Sequence, residues 1–194
     1  MKVVLATRNR GKVREVAAIL ADLPIALEAL PAAVELPEEG DEYVANAIAK
    51  AVAAARATGC VALGDDSGLE VDALGGAPGV RSARYGGAGL DDAGRNAKLL
   101  AALDAVPDAR RTARFVCVAA LATPAGEVAT ERGICEGVIL RAPRGRDGFG
   151  YDPIFGIGAR SMAELSPAEK DAASHRGRAF RALAGRLRAL AGAR

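Results

Sequence analysis

The chain of 194 residues has no tryptophan, one histidine, three cysteines and, among its 26 basic residues, only five lysines. One histidine and three widely spaced cysteines (Cys60, Cys117, Cys135) exclude a zinc finger and a three-histidine zinc site. The cysteine count is odd, and Cys60 and Cys117 lie in apolar runs, so reduced structural thiols in a cytoplasm are expected. The longest unbroken apolar run covers residues 115–122, far short of the ~20 residues of a membrane helix, so no membrane association is expected. Arg8 and Arg10 follow a very short apolar stretch, which does not resemble a signal peptide. A net charge of +2 supplies no global field for nucleic acid.

What is present is a globular balance, 51% apolar and 26% charged, at the length of a single domain spanning residues 1–194. Residues 2–6 read as a buried strand, and residues 7–11 break it. From Lys12, the apolar positions Val13, Val16, Ala17 and Leu20 follow helical spacing. A second helix is expected over residues 41–57, with Val44, Ala47, Ile48, Ala51, Val52 and Ala55 as its buried stripe. Residues 60–64 predict a strand that ends at Asp65-Asp66, and a third helix is expected over residues 91–105. Two long apolar runs flank Pro124-Ala125-Gly126 and predict an antiparallel hairpin. Ser166-Pro167-Ala168-Glu169 is a capping box with proline at the first helical position. A last helix buries Ala179, Phe180, Leu183, Leu187, Leu190 and Ala191. Helices alternating with strands, and one hairpin, define an α/β fold around a mixed sheet.

Four local patterns carry chemistry. Thr7-Arg8-Asn9-Arg10-Gly11-Lys12 lies between a strand and a helix, where backbone N–H groups and the helix dipole attract anions. It is not a Walker loop, because Ala6 and Val13 stand where that motif needs glycine and serine or threonine. Asp65-Asp66-Ser67-Gly68 pairs two carboxylates beyond a strand, a donor set for a hard divalent cation or a turn. Asn46 and Lys50 share a helix face that reads as solvated. Gly148-Phe149-Gly150-Tyr151-Asp152 crowds aromatics among glycines, which suits stacking on a base. Lys170, His175 and Arg176 add hydrogen-bond donors for carbonyl oxygen or phosphate. Together they describe a site for a nucleoside phosphate with a metal ion.

On these motifs, with residues 38–50, Pro78-Gly79 and Ser82-Ala83-Arg84-Tyr85, the chain resembles the inosine/xanthosine triphosphate pyrophosphatases over nearly its full length. The resemblance implies a two-lobed α/β fold around a long mixed sheet, with the active site in a central cleft and a homodimer as the usual assembly. It implies Mg²⁺-dependent hydrolysis of noncanonical purine nucleoside triphosphates (dITP/ITP, XTP) to monophosphate and pyrophosphate. By position, Asp66 resembles the family's proton acceptor and metal-linked carboxylate, with Glu38 as the implied second acid. Thr7, Arg8, Asn9, Arg10, Gly11 and Lys12 look like the family's triphosphate loop, with Ser67 and Lys50 expected nearby. Phe149, Gly150, Tyr151, Asp152, Lys170, His175 and Arg176 look like its nucleoside-binding set. The chain departs from the family at Cys135, where tryptophan is frequent, and at Arg81, where a bulky apolar residue or tyrosine is common. The acidic segment reads Pro37-Glu38-Glu39-Gly40, so either glutamate could meet the metal. Rival readings are a nucleotide-binding module that does not hydrolyse, an RNA-binding protein using the arginine-rich C-terminal helix, and a pyrophosphatase for modified pyrimidines.

Overall fold

The computed structural model describes residues 1–87 and 89–192. Strand β1 (Lys2–Leu5) runs into helix α1 (Arg10–Ile19), which starts two residues earlier than apolar spacing indicates. The reason is local: the Asn9 side chain accepts from the N–H groups of Gly11 and Lys12 at 2.8 and 3.1 Å and so caps the helix. Arg10, Gly11 and Lys12 are therefore its first turn and not loop. A strand absent from the sequence reading, β2 (Ala26–Ala29), follows and pairs in parallel with β1. Its residues are all exposed or half-buried, as befits an edge strand, so no apolar alternation marks it.

Helix α2 (Tyr43–Thr58) leads to β3 (Val61–Val71). The helix is rotated from the expected stripe: Val44 is 46% exposed, while Asn46 and Lys50 are 5% and 7% exposed, so the face read as solvated is buried. Strand β3 does not stop at the acidic pair but runs through Asp65, Asp66 and Ser67. After it come the short β4 (Pro78–Gly79), helix α3 (Asp92–Ala102), β5 (Thr112–Ala122) and β6 (Val128–Ile139). β5 and β6 are neighbours joined by a turn in which Thr123 N–H donates to Glu127 O. Strands β7 (Phe155–Ile157) and β8 (Arg160–Ser161), then helices α4 (Pro167–Ala173) and α5 (His175–Gly192), complete the chain. The Ser166–Glu169 capping box closes the N-terminus of α4 as the sequence predicts.

Among the described residues, eight strands form a mixed sheet in the order β2-β1-β3-β5-β6-β7-β8, with β4 on β3. The chain divides into two compact units, and β3, β5 and β6 each give residues to both. The first unit comprises Met1–Asp66, Cys117–Gly133 and the chain from His175 onward. Here β1 is parallel to both β2 and β3, so the strand order reverses at β1. One sheet face packs Val3, Leu5, Val61 and Leu63 with Val16 of α1 and Phe180 and Leu183 of α5. The other packs Val4, Ala6 and Ala62 with the alanines of α2. α2 lies so close to β3 that a Cβ on Gly64 would stand 2.6 Å from Ala47 O and 2.9 Å from Ala51 N. The second unit, Ser67–Val116 with Ile134–Ser174, has its own core, including Phe115, Tyr151 and Phe155, with the Phe115 and Phe155 rings 4.4 Å apart.

None of the three cysteines is in a disulfide, and Cys117 is buried in the sheet. Replacement Gly64→Ala should lower stability by about 1–3 kcal/mol, because both clashing atoms are backbone and cannot rotate away. A urea melt that matches wild type would show that the helix–sheet spacing is not fixed there.

Candidate active site

The first cluster is set by strand geometry. Leu5 of β1 pairs with Leu63 of β3, and Ala6 N–H still reaches Leu63 O at 2.7 Å. β1 then ends, so Asp65 and Asp66 project from β3 just past the carboxyl end of its parallel neighbour. In open α/β sheets, ligands bind outside the carboxyl ends of the strands where the order reverses. Adjacent strand residues face opposite ways, so the two carboxylates enter different surroundings.

Asp65 lies on the face covered by α1 and α5 and is 1% exposed. Its Oδ2 is 2.9 Å from Lys12 Nζ and 3.4 Å from a guanidinium nitrogen of Arg176. Arg176 is itself 2% exposed and also pairs with Glu15 of α1 at 2.5 Å. Burial alone would raise the Asp65 pKa, but Lys12 and Arg176 outweigh it and hold the carboxyl far below the usual range. Burial and the neighbouring Asp65 charge push the Cys117 thiol up to about 12, so it stays protonated beside the pair.

Asp66 lies on the α2 face. Its Oδ2 accepts from Asn46 at 2.8 Å and its Oδ1 is 3.3 Å from Lys50 Nζ. Lys50 also contacts the Asp65 backbone carbonyl at 3.2 Å and forms an ion pair with Glu39. Burial raises the Asp66 pKa above that of a free carboxylate, and Lys50 and Asn46 only partly offset it. The neighbouring carboxylates thus differ: Asp65 is locked as an anion, while Asp66 is the more basic of the two and suits proton transfer.

The triphosphate-loop residues gather at the same strand end. Arg10 and Lys12 sit in the first turn of α1, and Thr7 Oγ1 accepts from Asn9 N–H at 3.2 Å. Arg8 donates to the carbonyls of Ala32 and Val34 at 3.0 and 2.8 Å, strapping the segment after β2. Glu38 is exposed, and it is Glu39 that meets Lys50. Ser67 is half-buried on β3.

A second cluster lies within the other unit. Asp152 Oδ2 accepts from Phe149 N–H at 2.7 Å and from Lys170 Nζ at 2.5 Å. The Lys170 ammonium stands 4.9 Å from the centroid of the half-buried Phe149 ring. A Cβ on Gly148 would come within 2.1 Å of Asp152 Oδ2, so the carboxylate packs directly over that glycine. Tyr151 departs from the stacking expectation: it is 5% exposed, its hydroxyl donates to Ser82 O at 2.9 Å, and it belongs to the core with Phe155. Phe149 keeps partial exposure, whereas Tyr151 and Phe155 are buried. His175 and Arg176 start α5 in the first unit, whereas Lys170 belongs to the second.

The donor chemistry fits a divalent cation of the magnesium type. The ammonium of Lys50 is already held by oxygens of Glu39, Asp65 and Asp66, and Asp65 Oδ1 is buried with no hydrogen-bond partner. Among the described residues no three acidic, histidine or cysteine side chains converge to cage an ion unaided. Mg²⁺ commonly takes one or two carboxylates and completes its shell with phosphate oxygens and water. Asp66 with Glu38 or Glu39 would supply the protein's share.

A doubly wound α/β sheet with buried carboxylates and lysines at its switch point is an arrangement that suits a nucleotide. The match to known proteins is narrower. The Ham1 family model covers residues 3–186, and the chain belongs to that family. It is 53% identical over 197 residues to the dITP/XTP pyrophosphatase of Frankia alni, covering 97% of this chain and 98% of that protein. The solved structure of a HAM1 protein from Coxiella burnetii is 44% identical, with a TM-score of 0.84 over 96% of this chain and 98% of that one. A Mycobacterium abscessus structure described as a nucleoside-triphosphatase / dITP/XTP pyrophosphatase is 47% identical, with a TM-score of 0.73 over 94% and 98%.

Removing Arg176 should show its link to Asp65 as a loss of stability. Arg176→Ala leaves buried Asp65 and half-buried Glu15 short of a cation, which costs roughly 3 kcal/mol. Chemical denaturation measures it; an unchanged midpoint would mean that Lys12 alone keeps Asp65 charged.

Proposed function

We propose that this protein is a nucleoside triphosphate pyrophosphohydrolase. It cleaves the bond between the α- and β-phosphates of dITP, ITP or XTP, giving monophosphate and pyrophosphate and cleansing the nucleotide pool. The observation that carries the reading is Asp66, a buried carboxylate of raised pKa held by Asn46 and Lys50 at the carboxyl end of parallel strands in a Ham1 chain. A triphosphate brings roughly four negative charges, and charge grows on the leaving pyrophosphate as the bridge breaks. Lys12, Lys50 and Arg10 supply cations at that strand end. Asp66 takes the proton of the attacking water; the water oxygen ends on one phosphorus and the bridging oxygen leaves with the other. When bound, Mg²⁺ neutralises phosphate charge and acidifies water, with Asp66 and Glu38 or Glu39 as its protein ligands.

Phe149 offers the base a π-face, which accepts any purine. Lys170, held by Asp152, supplies a donor for a 6-oxo group, where adenine would present an amino donor and leave both unpaired. His175 and Arg176 complete the proposed nucleoside set. The remaining parts of the reading are a single catalytic domain over residues 1–194, a homodimer, and a cytoplasmic location without nucleic-acid or membrane partners. No helix among the described residues is long and apolar enough to cross a membrane.

Asp66→Asn keeps the shape but loses the base, so kcat should fall by at least ~10²-fold while the far-UV spectrum is retained. Pyrophosphate release from ITP, XTP, GTP and ATP, with and without Mg²⁺, is the measurement. Turnover by a folded Asp66→Asn protein close to wild type would remove Asp66 from the chemistry.

A further inference from the structure

Helix α3 contributes no residue to the chemistry described above, yet it holds the loop that carries Phe149. Gly150 N–H donates to Asp92 Oδ2 at 2.6 Å, and Gly150 O accepts from Asn96 Nδ2 at 3.1 Å. Asp92 and Asn96 are four apart, so one helix face grips both polar groups of a single residue. Gly150 has φ of +64°, a conformation that costs a non-glycine residue and that the two bonds fix. Asp92 is steadied in turn by Arg95 at 2.5 Å.

A cavity of about 490 Å³ is lined by both the loop and α3, including Asp92, Asn96, Leu100, Pro143, Phe149 and Gly150. Beside it, the two directional hydrogen bonds to Gly150 fix the loop's distance from the helix. Asn96 is 5% exposed, and its Oδ1 has no hydrogen-bond partner. A buried amide oxygen left bare costs free energy, so the position is poor as a structural asparagine and makes sense for what its NH₂ group does at Gly150.

We infer that Asp92 and Asn96 are positioning residues for base recognition: they clamp the Gly150 peptide so that the Phe149 ring and its Asp152–Lys170 partners are preorganised for the base. The inference rests on the reading of the Phe149 loop as the base site. The clamp touches no phosphate-side residue, so its loss affects the base half of the substrate alone.

The test uses the full chain and three ligands: ITP as substrate, inosine as a probe without phosphates, and inorganic tripolyphosphate as a probe without a base. Asp92→Ala and Asn96→Ala should each raise KM for ITP and weaken inosine inhibition by about three- to tenfold, the worth of one hydrogen bond. Inhibition by tripolyphosphate and kcat should stay within about twofold of wild type. Asp92→Asn, which keeps an acceptor for Gly150 N–H, should restore most of the loss. Asn96→Ala spares the first turn of α3, so it stands if Asp92→Ala folds poorly. Equal weakening of tripolyphosphate and inosine would mean a general structural defect and would overturn the clamp. Unchanged KM and inosine inhibition in both alanine variants, with Phe149→Ala raising KM and weakening inosine inhibition, would overturn the clamp and leave the base site intact. If Phe149→Ala also changes neither, the base-site reading fails and the clamp fails with it.

Discussion

A carboxylate that is 1% exposed within a β-strand survives as an anion only where cations are built in around it. Asp65 meets that condition through Lys12 from the first turn of α1 and Arg176 from the start of α5, with Glu15 balancing the guanidinium. This arrangement fixes more than one side chain. It sets where α1 begins, because Asn9 must cap the helix for Lys12 to stand at its third position. It also sets where α5 begins, because Arg176 can reach both acids only from the buried first turn. The strand, the two helices and the phosphate-side lysine are therefore held by one charge network, and the apolar packing of Val16, Phe180 and Leu183 surrounds it.

The same economy explains the split between arginine and lysine. Several arginines of this chain each meet more than one acceptor. Arg111, 2% exposed, donates to the carbonyls of Leu103, Ile139 and Leu140. Arg8 ties two carbonyls, and Arg176 joins two carboxylates. A planar group with five donors suits such tasks. Lys12, Lys50 and Lys170 do something different: each is a point charge set against a single buried aspartate, respectively Asp65, Asp66 and Asp152.

Much of the fold was legible because it rests on local signals. The Ser166 capping box, the hairpin around Gly126 and the apolar spacing of α1 and α5 all encode their own geometry. The misreadings share another cause, namely that burial of polar groups leaves no apolar pattern. Strand β3 was cut short at Asp65-Asp66 because two acids look like a turn until their cations are in view. Asn46 and Lys50 read as solvent-facing because alanines, which are small and ambiguous, define the rest of α2's buried face. Tyr151 read as part of the stacking loop because the second unit's core, where it packs with Phe155, is assembled from segments far apart in sequence. The clamp from α3 to Gly150 spans 54 residues and has no local signature.

These particulars bear on how such a site can be both indifferent and selective. Every nucleoside triphosphate presents the same phosphates, and the groups proposed to meet them are fixed by a network that contains no base contact: Lys12 by Asp65, Lys50 by Asp66 and Glu39. Lysines already ordered by internal carboxylates lose little further entropy when a substrate arrives, and their charges point where phosphate charge develops. Such preorganisation favours good and bad nucleotides alike. Discrimination must then come from groups that can be left unsatisfied by the wrong base, and Lys170 is the group proposed for this. Its ammonium is buried, with Asp152 taking one donor and the Phe149 ring on another side. A base that accepts a hydrogen bond adds to that arrangement, whereas one that donates leaves a desolvated ammonium facing a desolvated amine. The physical division proposed is thus between cations that meet groups common to every triphosphate and one cation that faces the base edge, where the wrong partner leaves both groups unpaired.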